Sequence, residues 1–186
     1  MKWDSRLTDL KVSVGGTVDK TKPYWRIIAA WLTVNGSWDD VPAWACQWQL
    51  NTLGGDHHAF GRAVFQDGSL AAEAGFGLTW PDGVDTRLPE PDGWANIPLY
   101  ASYDPAKGPG PYSWLKAGNA ERLDGLGLPL NHHVSFFAVW QLTEPAPEPP
   151  PVEPPVEPPG TTGRYWLTLD LGNAAQVRLP VELTPR

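Results

Sequence analysis

The residues best suited to chemistry in this chain are its aromatic ones, 11 Trp, 5 Tyr and 5 Phe. Several fall in turn-like contexts. Trp38 lies in Asn-Gly-Ser-Trp-Asp-Asp and Trp94 in Pro-Asp-Gly-Trp-Ala-Asn, while Tyr103, Tyr112 and Trp114 flank the loop 104–111. A large ring on a loop is costly to leave in water unless it packs on the body of the fold or meets a ligand. The flat C–H faces of sugars suit such rings when carboxylate and amide acceptors stand nearby. Trp38, Trp94, Tyr103, Tyr112 and Trp114 are therefore the candidate ligand-binding residues for a polysaccharide or cell-surface glycan, with Asp39, Asp92, Asn96 and Asp104 as hydrogen-bonding neighbours. The competing use of the same rings is to plug the ends of the fold.

Other chemistry has less to work with. The histidine pairs His57-His58 and His132-His133 could each offer one ring to a common ion, because adjacent strand residues point to opposite faces. A zinc site takes three or four ligands, and Cys46 is the one cysteine, so hydrogen-bonded structural histidines are expected, with no metal and no cofactor. The acidic turns Asp39-Asp40, Asp82-Gly83-Val84-Asp85 and Asp104 lack the spacing of a calcium loop. Glycoside hydrolysis needs two carboxylates in one cleft, and nothing in the sequence brings Glu73 and Glu90 together. No Gly-x-Ser-x-Gly elbow, phosphate loop, His-Glu-x-x-His or dinucleotide fingerprint occurs, so the chain is read as non-catalytic.

The elements that must position these residues follow from composition and period. Of 186 residues, 21 are Pro and 19 Gly, and charged residues are 19 % of the chain, which favours many short strands and turns over a helical bundle. Fourteen Lys+Arg against 21 Asp+Glu give a net charge of −7 and exclude a phosphate-gripping surface, so nucleic acid is not expected as a partner. The longest strongly apolar run, residues 27–32, is too short to insert in a membrane, and no signal-peptide pattern follows Met1-Lys2. The chain is expected to be soluble, either already processed or made without a leader.

Apolar residues recur every second position, the mark of strands with a buried face. Over residues 24–32, Trp25, Ile27, Ala29 and Trp31 alternate against Tyr24, Arg26, Ile28, Ala30 and Leu32. Over 43–50, Trp44, Cys46, Trp48 and Leu50 oppose Ala43, Ala45, Gln47 and Gln49. Residues 57–66, the turn dipeptide Asp67-Gly68 and residues 70–80 read as a hairpin. Further strands are expected at 97–103, 112–116 and 133–142, the last with Val134, Phe136, Ala138, Trp140 and Leu142 inward. Trp25, Trp31, Trp44, Trp48 and Trp140 are assigned to the core.

Residues 144–160 hold nine prolines and four glutamates, which favours an extended polyproline II spacer. Beyond it, Tyr165, Leu167, Leu169 and Leu171 alternate against Trp166, Thr168 and Asp170. After Gly172-Asn173, Val177, Leu179, Val181 and Leu183 alternate in the same way. This amphipathic hairpin is marginal alone in water, and Pro180 suits an edge strand. Either it folds back on its own domain or the spacer delivers it to a neighbour. Tyr165, Trp166, Leu167, Leu169, Val177, Leu179 and Val181 are the candidate assembly residues, through which a homo-oligomer would form.

The order Lys2-Trp3-Asp4-Ser5-Arg6-Leu7, Tyr24-Trp25-Arg26, Gly55-Asp56-His57-His58, Leu78-Thr79-Trp80, Asn96-Ile97-Pro98-Leu99-Tyr100-Ala101, and Gly125-Leu126-Gly127-Leu128 before His133-Val134-Ser135-Phe136 resembles an uncharacterised all-β accessory domain. Such domains look like modules appended to bacterial and phage cell-wall hydrolases and exported proteins. The resemblance implies a non-catalytic sandwich near cell envelopes or virions and carries over no site residues. The chain departs from it in having no attached catalytic domain and in ending with the spacer and hairpin.

The expected architecture is an all-β, antiparallel β-sandwich of jelly-roll or immunoglobulin-like type over 1–143, a polyproline linker over 144–160 and a C-terminal β-hairpin over 161–186. The expected function is an extracellular or virion-surface module that binds cell-surface glycan through loop aromatics. The alternative is a structural subunit of a virion or surface filament, assembled by β-augmentation through the hairpin.

Overall fold

The computed structural model describes residues 1–48, 50, 57–73, 75–129 and 133–145, together with the backbone of 164–170 and 176–182. The chain divides into two compact units, Met1–Ala146 and Pro147–Arg186. The strands in chain order are β1 (Lys2–Trp3), β2 (Ser13–Gly15), β3 (Tyr24–Val34), β4 (His58–Val64), β5 (Phe76–Trp80), β6 (Gly83–Arg87), β7 (Trp94–Pro98), β8 (Ser102–Tyr103), β9 (Tyr112–Lys116), β10 (Arg122–Leu126), β11 (Leu128–Pro129), β12 (Val134–Thr143), β13 (Arg164–Asp170) and β14 (Gln176–Glu182). A short helix, α1 (Ser5–Asp9), is capped by the Asp4 side chain, which accepts from the Arg6 N–H.

The protein is mostly β. One sheet has the order β1-β3-β12-β4-β7 and a second the order β2-β10-β9-β5-β6. Ile27, Ala30, Leu32, Phe136 and Trp140 of the first sheet share one apolar cluster with Phe76, Leu78, Trp114, Leu123 and Leu126 of the second. Hiding that cluster from water drives the two sheets together. They approach tightly at Gly61, where a Cβ atom would lie 2.7 Å from the Phe76 ring and 2.8 Å from Trp114 Nε1.

Four expectations are corrected. The first sheet is mixed rather than antiparallel, because β12 pairs parallel with β4 and β1 parallel with β3. Alternation along β3 breaks at a bulge: Val139 lies opposite Ala29 but Trp140 opposite Ile27, so Ile28 is an extra residue. Ile27 therefore joins Ala30 and Leu32 in the inter-sheet cluster, while Ala29 and Trp31 face the other way. Residues 43–50 do not make a strand, since Ala43–Trp48 is a 3-10 helix whose entry is fixed by the Ala45 N–H donating to the Pro42 carbonyl at 2.7 Å. Finally, Phe65 to Ser69 forms the expected tight turn with Gly68 at φ +84°, but the pairing beyond it is one bridge, Val64 to Leu70. The chain then crosses to the second sheet, where β5 pairs with β6 and β9.

The outer face of the first sheet carries a second core. Phe60, Trp94, Phe137, Val139 and Trp31 form it, and Trp44 and Trp48 from the 3-10 segment, with Trp38 and Val41 just before it, pack over it. Trp48, Trp31, Phe137 and Phe60 stack in series with centroid separations of 6.3, 5.1 and 4.7 Å. This explains why β12 is apolar at consecutive positions: Phe136 serves one core and Phe137 the other. Trp31 and Trp140 are buried as expected, whereas Trp25, Trp44 and Trp48 are only partly covered.

In the second unit β13 and β14 pair antiparallel, with Tyr165 opposite Val181, Leu167 opposite Leu179 and Leu169 opposite Val177. The spacer from 146 to 160 and the turn at 172–173 lie outside the described residues.

Candidate functional site

The five loop aromatics do not make a common platform. Trp94 is 2 % exposed, Trp114 0 % and Tyr112 8 %, so these three are core residues and their assignment to a ligand surface is corrected. Alternation explains it: Tyr112 and Trp114 are the inward positions of β9, and Trp94 opens β7 facing the second core. Their acidic neighbours are used locally, Asp92 accepting from the Trp94 N–H and Asp104 from the Ala106 N–H. Trp38 is half-buried against the second core, and Tyr103 is half-buried with its hydroxyl donating to the Leu10 carbonyl at 2.8 Å. Burial pushes the Tyr103 phenol up to about 12.

The histidines are closer together than strand alternation allows. His57 precedes β4 at φ +73°, which turns its ring onto that of His58 at 5.5 Å and towards that of His133 at 5.8 Å. Its Nδ1 is 2.9 Å from the Leu99 carbonyl, so it donates there as the Nδ1–H tautomer. Among the described residues no group of three or more His, Cys, Asp or Glu is placed to hold a metal ion. His132 lies outside the described residues.

The surface feature with the chemistry first sought in the loops lies elsewhere. Trp25 and Phe65 pack against each other, with ring centroids 6.0 Å apart and planes at 47°, and together with Leu70, Ala71, Ala72 and Glu73 they line a shallow cleft of about 360 Å³. Trp25 is fixed through its backbone, which accepts from the Glu121 N–H and donates to the Asn119 carbonyl, both at 2.8 Å. Phe65 stands exposed at the first position of the Gly68 turn. Against the Trp25 ring lies the ammonium of Lys116, 4.5 Å from the ring centroid, its Nζ donating to the Ala117 carbonyl at 3.2 Å. Lys116 is 2 % exposed, and burial lowers its pKa to about 8. The cleft offers ring faces and a carboxylate acceptor, while the Lys116 ammonium is buried against the Trp25 ring and does not line it.

Sequence reading missed this site because it assigned Trp25 wholly to the core, where it is only partly covered, gave Phe65 no role and weighed Glu73 only as a hydrolytic carboxylate. The available signal was Phe65 itself, a large apolar residue beside the Gln66-Asp67-Gly68 turn. The assembly residues Tyr165, Trp166, Leu167, Leu169, Val177, Leu179 and Val181 occupy β13 and β14, and their side chains lie outside the described residues.

Fold and site together define an all-β domain with a surface cleft lined by two aromatic rings. No family model, no curated protein and no solved structure matches the chain.

Proposed function

We propose that the protein is a non-catalytic binding module that takes a polysaccharide or cell-surface glycan in the Trp25–Phe65 cleft. The observation that carries this reading is the contact pair of a partly covered Trp25 and an exposed Phe65, which line one cleft together with Glu73. Ring faces take the apolar side of a sugar while the carboxylate accepts from its hydroxyls. Each ring contact is worth on the order of 1 kcal/mol, so a single cleft binds weakly and retention on a wall comes from many copies. The reading goes with a jelly-roll or immunoglobulin-like sandwich of accessory type, working outside the cell, at a cell surface or on a virion.

Retention of the full chain on purified peptidoglycan sacculi tests it. Phe65→Ala and Glu73→Gln are each expected to lower retention about tenfold, with a melting temperature within about 2 °C of the wild type because both side chains are exposed. Wild-type protein that washes through, or variants retained as well as it is, would overturn the reading.

A second reading is favoured by the register of β13 and β14, which places apolar residue types at successive cross-strand positions on one face. In it the chain is a structural subunit of a virion or surface filament, and the hairpin at the end of a polyproline linker adds its strands to another protomer. Deleting residues 161–186 should then leave a folded protein that no longer assembles. Unchanged assembly after the deletion would refute it.

A further inference from the structure

We infer that strand β6, at the free edge of the second sheet, is a self-complementary surface that pairs antiparallel with β6 of a second copy of this chain, centred on Thr86.

β6 ends the order β2-β10-β9-β5-β6, so among the described residues no strand is hydrogen-bonded to its outer side, although β7 of the first sheet lies nearby. The Thr86 N–H points to that open side, because it is taken not by β5 but by the neighbouring carboxylate, Asp85 Oδ1, at 2.7 Å. Main-chain groups alternate in direction along an antiparallel strand, so Val84 presents its N–H and C=O groups to the open side as well, and Leu88, the residue after the strand's last, has the same parity. The same two residues are 62 % and 70 % exposed, two of the few large apolar side chains left in water among the described residues. They border a shallow groove of about 400 Å³ floored by Gly77 and Leu115 on the outer face of the sheet.

What names the partner is the order of residue types. Val84-Asp85-Thr86-Arg87-Leu88 reads apolar, acidic, neutral, basic, apolar. Under a two-fold axis at Thr86 the strand meets itself with every position matched. Thr86 faces Thr86 of the second copy, Val84 faces Leu88 and Leu88 faces Val84. These are the hydrogen-bonded pairs of the ladder, each exchanging two main-chain bonds. Asp85 faces Arg87, and Arg87 faces Asp85, at the intervening positions where side chains lie closest. Within one chain Arg87 and Asp85 are already 3.9 Å apart, so pairing exchanges an exposed local contact for two contacts between copies. Asp85 also gives up the Thr86 N–H to the second copy's carbonyl, and until then that carboxylate blunts the edge. An isologous interface requires this self-matching, and a fortuitous exposed edge does not supply it.

The inference stands apart from the hairpin, since it places contact on residues 84–88. It is tested on the full chain by sedimentation velocity over a concentration series. Wild-type protein should show a reversible dimer. Asp85→Arg alone puts Arg opposite Arg, and Arg87→Asp alone puts Asp opposite Asp, so each variant should self-associate at least about tenfold more weakly. An equimolar mixture of the two restores opposite charges at both positions and should recover a heterodimer near wild-type strength. Far-UV circular dichroism checks that both variants are folded, as expected for substitutions at a half-buried and an exposed edge position. Wild-type protein that stays monomeric up to about 1 mM overturns the inference. So does association that is unaffected by either single substitution, which would place contact on the hairpin or elsewhere. A mixture no stronger than its components overturns the assigned register.

Discussion

Replacing Lys116 by methionine should make the protein more stable at neutral pH, although it removes the only charge buried between the sheets among the described residues. Lys116 is 2 % exposed, its amine donates one hydrogen bond to a carbonyl, and among the described residues no carboxylate is paired with it. Burial lowers its pKa from the ordinary 10.5 to about 8. The folded protein therefore releases this proton more readily than the unfolded chain, and the difference corresponds to a penalty of about 3 kcal/mol whenever both forms are protonated. The Trp25 ring at 4.5 Å returns about 1 kcal/mol of it. Methionine fills a similar volume, keeps a favourable sulfur contact with the rings and needs no solvation. The expected gain near pH 7 is about 2 kcal/mol, or roughly 4–8 °C in melting temperature.

The pH dependence fixes the sign independently. Between about pH 8 and 10.5 the unfolded state holds more protons than the folded one, so wild-type stability rises with pH across that window. Lys116→Met should be flat there, and the two proteins should converge near the top of it. Urea denaturation followed by far-UV circular dichroism near pH 7 and near pH 10 measures both effects. A variant less stable than wild type near neutrality, or a wild type whose stability does not rise, would refute the claim that this ammonium is buried at a cost.

Two further outcomes are expected. Tyr103, with its phenol pushed up to about 12, stabilises the fold fully below pH 10.0 and loses that contribution as pH rises towards 12. Tyr103→Phe should abolish this alkaline loss while costing about 1 kcal/mol at neutral pH through the missing bond to the Leu10 carbonyl, and pH-dependent thermal melts would show both. Gly61→Ala should cost about 2–3 kcal/mol, read from the urea midpoint, because the added methyl meets Phe76 and Trp114 across the sheet interface. Loss of less than about 0.5 kcal/mol would mean that the sheets separate there more easily than their packing implies.

The all-β class was legible in the sequence because alternation is a direct image of a strand with one buried face. Residues 112–116 match β9, and residues 133–142 match β12 to within one residue. What alternation cannot report is a sheet covered on both sides. β12 looked like a half-buried strand, and its second apolar row, Phe137 and Val139, had no assigned partner until the 3-10 segment was found packed over it. In residues 43–50 the same pattern misled. Trp44 and Trp48 fit a period of two, but Pro42 starts a turn, its carbonyl accepting from the Ala45 N–H, and the segment coils into a 3-10 helix. The glycan platform failed for a related reason. Loop context was read from Gly, Asp and Pro neighbours, whereas Trp94 follows its turn by one residue and is already in a strand. Strands β6 and β10 were not expected at all, being rich in Gly, Asp and Arg, and the self-matching edge lies in the former.

The extra residue at Ile28 makes β3 a strand with two parities. Before it, odd-numbered positions point between the sheets; after it, even-numbered ones do. Removing that one residue would realign the strand with β12 but rotate everything on one side of the gap by half a turn, trading Ile27 into the stack of Trp31 and Phe137 or Trp31 into the narrow space kept open by Gly61. A single codon thus holds the two interiors in phase, and sequence drift in either one is constrained by a count kept in the other.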